Sequence, residues 1–196
     1  MNKTYTLIFI ALLYPFFYGF GQTTDLIISE YVEGSSNNKY IEIYNGTGAT
    51  IDLTDYQLHL FANGVTSPNE TNTLSGSLTN GSVIVYENSS ATIYFGTATA
   101  LSSVNFNGDD AVGLFKNDVL IDIIGTYNSG GGNFAKDKTL RRKNDISEPN
   151  TAFDINNEWE VYPKDNVENI GQHNATLSIN RFENSGLKVY PIPTND

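Results

Sequence analysis

The sequence contains no cysteine among its 196 residues. Disulfide bonds, thiolate metal centres and cysteine nucleophiles are therefore excluded, and a folded part must be stabilised by packing or by ions bound through oxygen. A unit of about 150 residues buries roughly 68–70% of the surface of its unfolded chain, so it can form a core without cross-links. The length accordingly predicts one domain with short appendages.

Basic residues are scarce as well. Lys and Arg number 11 against 22 Asp and Glu, which gives a formal net charge of -11. Phosphate backbones attract clustered Lys and Arg, so this composition argues against broad, non-specific binding of nucleic acid.

The parts of a hydrolytic site are missing from the sequence. Only two histidines occur, His59 and His173, and neither belongs to an H-E-x-x-H zinc motif. A G-x-S-x-G nucleophile motif is also absent. We expect His59 to face solvent, because it alternates with Leu58 and Leu60 along a predicted strand. The sequence therefore predicts a protein that is not an enzyme.

Helical periodicity is lacking between Asp25 and Gly171, and short strand patterns recur instead, broken by Gly, Asn and Asp. About eight or nine strands with turns between them predict an all-β fold, an immunoglobulin-like two-sheet β-sandwich. The missing crossover helices argue against a parallel α/β fold. The predicted strands are 25–33, 39–44, 52–61, 72–78, 82–86, 111–115, 119–124, 139–142 and 159–162, with 91–95 as a short strand or helical turn and a hairpin loop at 116–118.

Both ends of the chain have the pattern of targeting segments. Residues 1–21 combine Lys3, an apolar run and small residues before Gln22, which predicts a cleaved signal peptide. A retained membrane anchor is the alternative, but the apolar run is short and contains Pro15. Residues 187–196, LKVYPIPTND, resemble the opening of the type IX secretion sorting domain of Bacteroidetes. The resemblance implies a truncated or degenerate sorting tail that engages the type IX export machinery, joined by a polar linker over 172–186.

The segment between these ends, 22–171, resembles the lamin tail domain family. Its opening reads LIISEYVEGSSNNKYIEIYNGTGATIDLTDYQL, and later stretches read NGDDAVGLFKNDVLIDIIG and KTLRRKNDISEPNTAFDINNEWEVYP. The order of these pieces is similar to that of bacterial members attached to secreted nucleases and phosphatases. The resemblance implies an immunoglobulin-like β-sandwich with an accessory, non-catalytic role.

Two groups of residues are candidates for binding. Loop carboxylates and amides with the oxygen chemistry of calcium ligands predict a structural calcium ion, with solvated acidic turns as the alternative. A run of basic residues predicts contact with phosphate, an acidic glycan or single-stranded nucleic acid. The alternative is that one arginine pairs with a strand carboxylate such as Glu42. The calcium candidates are Asp109, Asp110, Glu33 and Asn37, and the basic candidates are Lys136, Lys138, Arg141, Arg142 and Lys143.

Glu30 and Glu42 lie in strands of apolar alternation, where they either share a polar surface or simply point outward. The sequence as a whole predicts an exported binding or interaction module, secreted or held at the cell surface, with no transmembrane segment after processing. The alternatives are an accessory fragment of a secreted nuclease or phosphatase, and a surface protein for adhesion or structure. Its partner is a protein, a glycan or a nucleic acid.

Overall fold

The computed structural model describes residues 22–128 and 132–175. The predicted signal peptide and sorting tail lie outside these residues, as does the predicted linker after residue 175. Within the same ranges no helix has the length and apolar character needed to cross a membrane.

Twelve strands and one short helix make up the described fold. Two single turns of 3₁₀ helix, Leu53–Asp55 and Ala62–Gly64, flank the fourth strand. The elements are β1 (Ile27–Glu33), β2 (Lys39–Tyr44), β3 (Ile51–Asp52), β4 (Tyr56–Phe61), β5 (Glu70–Thr73), β6 (Ser77–Leu78), β7 (Val83–Glu87), β8 (Thr99–Ala100), β9 (Ala111–Lys116), β10 (Val119–Ile124), β11 (Lys138–Arg142), α1 (Ile155–Glu158) and β12 (Trp159–Pro163).

The strands form two main sheets. A six-stranded sheet has the order β12-β11-β1-β2-β7-β8, and a four-stranded sheet has the order β10-β9-β4-β5. Strands β3 and β6 pair separately, and every pairing is antiparallel except that of β7 with β8. The predicted all-β sandwich is therefore confirmed.

The core lies between the inner faces of the two sheets. Alternate residues of each strand point into it, as the period of two in a pleated strand requires. Burying these apolar side chains supplies the main driving force for folding. The six-stranded sheet contributes core residues that include Ile28, Tyr31, Ile41, Ile43 and Leu140, and the four-stranded sheet contributes Tyr56, Leu58, Leu60, Val112 and Leu114.

Two predicted strands are wrong in extent, because each is divided by a turn. The predicted strand over 52–61 is interrupted where the Asp52 side chain accepts a hydrogen bond from the Thr54 amide (3.0 Å) and starts a 3₁₀ turn. The predicted strand over 72–78 is interrupted at Gly76, whose φ of +90° suits glycine best. These turns transfer the chain between the four-stranded sheet and the β3–β6 pair.

The hairpin predicted around residues 116–118 is confirmed. Lys116 pairs with Val119, and the two residues between them, Asn117 and Asp118, both have positive φ (48° and 64°). A two-residue loop with two such residues matches the twist of the strands it connects. The prediction over 91–95 is wrong, since that segment forms neither strand nor helix. Its backbone amides at Ile93 and Tyr94 donate instead to the Tyr40 hydroxyl.

A buried ion pair joins the two sheets. Arg142 of β11 is 1% exposed, and its guanidinium donates to both carboxylate oxygens of Asp122 on β10 (2.5 and 2.6 Å). Asp122, itself fully buried, also accepts from the backbone amides of Ile28 (2.7 Å) and Asn150 (3.0 Å). Arg142 in turn donates to the Ile28 carbonyl (3.1 Å). The pair therefore ties β10 of one sheet to β1 and β11 of the other.

The last described segment crosses the outer face of the six-stranded sheet. Residues 164–173, called here the strap, run from β11 across β1 to β2. Thr139 donates to the Asn166 carbonyl (3.1 Å), Asn169 donates to Glu30 (3.3 Å), and the Gly171 amide donates to Glu42 (2.6 Å). The strap covers that face and buries the two glutamates beneath it.

We expect Arg142→Ala to lower the free energy of unfolding by about 3–5 kcal/mol, because it leaves the Asp122 carboxylate buried without its countercharge. Urea denaturation of the purified domain measures this loss. The control is Lys164→Ala, which breaks an ion pair with Asp137 that is half exposed on both sides and should cost at most about 1 kcal/mol. Equal losses in the two variants would contradict the role assigned to the buried pair.

Candidate functional site

The five basic candidates do not form one exposed patch. Arg142 is buried in the ion pair with Asp122 and donates also to Glu158 (2.8 Å), so it is removed from any contact with an external anion. The alternative was an arginine paired with a strand carboxylate such as Glu42. Arginines do pair with strand carboxylates, Arg142 with Asp122 and Arg141 with Glu30, whereas Glu42 has no arginine partner among the described residues. The consecutive residues Arg141 and Arg142 point to opposite faces of β11, which separates their roles.

The remaining four basic residues differ in how free they are. Arg141 pairs with Glu30 (3.4 Å), and its guanidinium lies 4.3 Å from the centre of the Tyr162 ring. Lys143 donates to the backbone carbonyls of Asn156 (3.1 Å) and Asn157 (2.7 Å). Lys136 is exposed and Lys138 is half-buried. Anion binding at this surface stays a prediction, and it depends mainly on Lys136 and Lys138.

The calcium candidates are spread over different surroundings. Asp110 is buried and accepts from the amides of Asn63 (2.7 Å) and Asn107 (2.8 Å). Glu33 is bound by the Lys39 ammonium (3.2 Å) and by a backbone amide at residue 137.

Asn37, by contrast, is exposed and lines a different cavity from that of Glu33. Asp109 is half-buried, and its own amide donates to Asn107 (3.3 Å). Among residues 22–128 and 132–175, no three His, Asp or Glu side chains are grouped to hold a metal ion. A structural calcium ion stays a prediction that rests on the sequence.

Two glutamates share one buried polar surface under the strap. Glu30 and Glu42 are directly opposite each other on β1 and β2, and each is 1% exposed. One Glu42 oxygen accepts from the Ser29 hydroxyl (2.6 Å) and the other from the Gly171 amide. One oxygen of Glu30, Oε1, is buried without any hydrogen-bond partner in the structure. The shared surface considered from the sequence is therefore present, on the outer face of the six-stranded sheet.

Burial of these carboxyls changes their ionisation. Loss of solvent raises the pKa of Glu42 to about 7, against hydrogen bonds from Ser29 and Gly171 that lower it, and the nearby charge of Glu30 raises it further. Burial also raises the pKa of Glu30, although the charge of Arg141 opposes the shift. Like charges directly opposite on neighbouring strands repel, so a proton on one glutamate stabilises the pair.

The two histidines have different surroundings. His59 lies on the outward side of β4, as its alternation with Leu58 and Leu60 predicts, but it is half-buried because its ring stacks on Phe115 with centroids 4.0 Å apart. The His173 ring packs at an angle against the Tyr44 ring, with centroids 4.6 Å apart, and burial lowers the pKa of His173 to about 4. Neither histidine has a hydroxyl or carboxylate partner among the described residues that would make it a general base.

The outer face of the four-stranded sheet carries a row of rings that sequence reasoning missed. The row begins with the stacked rings of Phe115 and His59. The His59 and Phe61 centroids are 6.2 Å apart, and the Phe61 ring stacks on the Tyr127 ring with centroids 4.7 Å apart. His59 and Phe61 point outward from β4 in alternation with the buried Leu58 and Leu60, and Phe61 is itself buried by its neighbours on this face. The outward positions of an ordinary exposed strand are polar, so aromatic residues there were the signal that could have revealed this face.

A cavity of about 300 Å³ opens at one end of the row. Tyr127, Phe153, Ile123 and Thr151 contribute to its lining, and no charged residue does so among the described residues. At the other end of the row the Phe115 ring lies over Gly113. A Cβ atom added at residue 113 would come within 2.8 Å of the Phe115 ring. Glycine at 113 therefore lets the ring lie flat against the sheet.

We expect the Glu42 carboxyl to make the free energy of unfolding fall as pH rises from about 4.5 to about 7, whereas His173, whose pKa is lowered to about 4, contributes with the opposite sign over much of the same range. The Glu42 carboxyl is neutral in both states below 4.5, its usual pKa, and above 7 folding must bury its charge. The shift corresponds to a loss on the order of 3 kcal/mol. Glu42→Gln should remove the Glu42 contribution, so that the variant gains stability relative to the wild type as pH rises and is the more stable of the two above pH 7, while Asp55→Asn on an exposed turn should leave the profile unchanged. Chemical denaturation across this pH range measures it, and an unaltered slope in Glu42→Gln would refute the assignment.

Comparison with known families agrees with this architecture. The family model for the Lamin Tail Domain matches residues 21–128, more than half of the chain. No curated protein matches the chain. The matched range holds β1 to β10, whereas β11, β12 and the strap follow it and complete the six-stranded sheet. With the fold and this match in agreement, the chain belongs to the Lamin Tail Domain family, whose members are immunoglobulin-like β-sandwiches.

Proposed function

We propose that this chain is an exported, non-catalytic interaction module, accessory to extracellular or cell-surface machinery. The observation that carries the proposal is that the charged side chains which could act in catalysis are engaged in contacts inside the fold. Buried charged side chains are bound inside the fold, either in ion pairs such as Arg142–Asp122 and Lys39–Glu33 or by neutral donors, as Glu42 is by Ser29 and Gly171. Catalytic groups must instead converge on a space that a substrate can enter.

The strongest catalytic candidate in the described residues is the Glu30–Glu42 pair. A carboxyl with a pKa of about 7 is suited to proton transfer near neutral pH. Both side chains are nevertheless covered by the strap. Both Glu42 oxygens and Oε2 of Glu30 accept from protein donors, among them Ser29, Asn169 and Gly171, and Oε1 of Glu30 is buried. A substrate has no access to them in this fold, which supports a structural role for the pair.

Export is supported by the sequence at both ends. The pattern of Lys3, the apolar run and the small residues before Gln22 is that of a signal peptide, and 187–196 resemble a sorting tail. A chain without cysteine keeps the same covalent structure in an oxidising environment outside the cell. Outside the cell, a module without a catalytic site acts through its surface, so its accessible faces are the places to look for a partner.

The purified domain (22–175) is expected to show no hydrolysis of DNA, RNA or phosphoesters above the buffer rate, with calcium or magnesium supplied. The physical reason is the missing convergence of acid, base and metal ligands. The measurement is initial rate with each substrate class, with Glu42→Gln and Asp109→Asn as matched variants. Turnover that disappears in either variant would contradict a non-catalytic role, whereas turnover unchanged in both indicates a contaminant.

Expression of the full chain in a bacterium with type IX secretion should yield extracellular or surface-bound protein that begins at Gln22. Mass spectrometry of the N-terminal peptide measures the cleavage site. Replacing Lys3 with Glu weakens the positive region of a signal peptide and should reduce export. Protein that stays inside the cell and retains Met1 would overturn the proposed location.

A further inference from the structure

The outer faces of the two sheets differ in what covers them. Residues of the strap and of the segment 88–98 pack on the six-stranded sheet, where Ile170, Ile93 and Tyr94 join Val32, Tyr40 and Val85. The four-stranded sheet is covered at one end only, where Tyr127 and Phe153 pack over the buried Phe61, Ala111 and Ile123. Toward the hairpin, His59, Phe115 and Leu120 remain half-exposed. We call this outer surface the aromatic face; its members are His59, Phe61, Phe115, Leu120, Ile123 and Tyr127, with Gln57, Thr71 and Thr73 at its polar side.

The aromatic face has no charged side chain of its own among the described residues. Charged residues on the same strands point to the other side: Lys116 binds Asp25 (2.7 Å), Asp122 binds Arg142, and Glu70 accepts from Ser102 (2.9 Å). Burial lowers the pKa of His59, although the charge of Asp118 in the hairpin loop at the rim opposes the shift. On a chain with a net charge of -11, a neutral surface of this kind is a distinct feature.

Gln57, Thr71 and Thr73 supply neutral hydrogen-bonding groups beside the rings. In the register of β4 with β5, His59 is opposite Thr71 and Gln57 is opposite Thr73. The Gln57 side chain contacts the His59 ring nitrogen (2.8 Å). Thr71 and Thr73 are exposed. Amide and hydroxyl groups therefore flank one side of a row of rings.

Rings next to neutral amides and hydroxyls match the chemistry of a sugar chain. One side of a pyranose ring presents C–H groups, which pack on the electron-rich face of an aromatic ring, while its hydroxyls need hydrogen-bond partners at the edges. The cavity beside Tyr127 and Phe153, about 300 Å³, is at the lower end of the size range of ligand pockets and adds a place for one unit of the chain.

We propose that the aromatic face binds a neutral polysaccharide, which deepens the proposed function by naming the class of partner. A polyanion is disfavoured here, because the face has no Lys or Arg and the chain as a whole is acidic. A peptide that adds to a sheet binds at a strand edge through its backbone, whereas the rings of this row lie on the sheet surface.

The test is affinity electrophoresis and calorimetry of the purified domain (22–175) with three soluble neutral polysaccharides: laminarin, arabinoxylan and galactomannan. Alginate and polygalacturonate serve as anionic counterparts. The expected result is retention by at least one neutral polysaccharide, with an affinity unchanged by added sodium chloride. Binding restricted to the anionic polymers and lost in salt would overturn the proposal and point to the basic residues near Lys136.

Variants locate the binding surface. Phe115→Leu keeps an apolar side chain but removes the ring, and Tyr127→Ala removes the second accessible ring; each should weaken binding roughly five- to tenfold. Phe95→Ala is the matched control, because Phe95 is 94% exposed and lies in the segment that covers the other sheet. A melting curve for each variant separates loss of binding from loss of folding.

Two outcomes overturn the proposal. One is that none of the three neutral polysaccharides retains the wild-type domain. The other is that Phe95→Ala weakens binding as much as Phe115→Leu does, with both variants folded. Neither outcome bears on export or on the absence of catalysis, which are measured separately by the N-terminal peptide and by hydrolysis.

Discussion

The Arg142–Asp122 pair is the interaction on which the sandwich depends. Two charged groups are withdrawn from water between the sheets, and such groups are tolerated only when every hydrogen bond is supplied. Asp122 receives them from the guanidinium and from backbone amides at Ile28 and Asn150, and Arg142 also contacts the ring of Trp159 (4.5 Å). Apolar contacts alone are not directional, so this network also fixes how β10 of one sheet meets β1 and β11 of the other.

The same use of charge recurs across the fold and bears on function. Arg141 holds Glu30, Lys39 holds Glu33, and the strap supplies donors to Glu42. Each pairing removes a group that would otherwise be available to a substrate or a metal. The charged groups that stay exposed are mostly acidic, among them Asp55, Asp118 and Glu160, and the aromatic face of the four-stranded sheet is an uncharged region beside them.

The outer faces of the two sheets are protected from water in different ways. On the six-stranded sheet the strap closes over a buried pair of glutamates, and burial raises the pKa of Glu42 to about 7. On the four-stranded sheet the rings of His59 and Phe115 shield each other and the backbone at Gly113, which makes an apolar surface tolerable in contact with water. Mutual stacking of this kind stabilises the face and still leaves it accessible.

The sequence by itself determined the class of fold, because a period of two and the turn residues are local properties. It located β2 and the β9–β10 hairpin, and it placed Glu30 and Glu42 as candidates for one polar surface. Only the tertiary structure decided that Arg142 turns inward to Asp122 while Arg141 stays near the surface, since the inward side of β11 is set by its pairing with β1, more than a hundred residues away in the sequence. It also decided that His59 stacks on Phe115 and that the strap crosses the glutamates. Those outcomes depend on which strands become neighbours, and no local pattern encodes that choice.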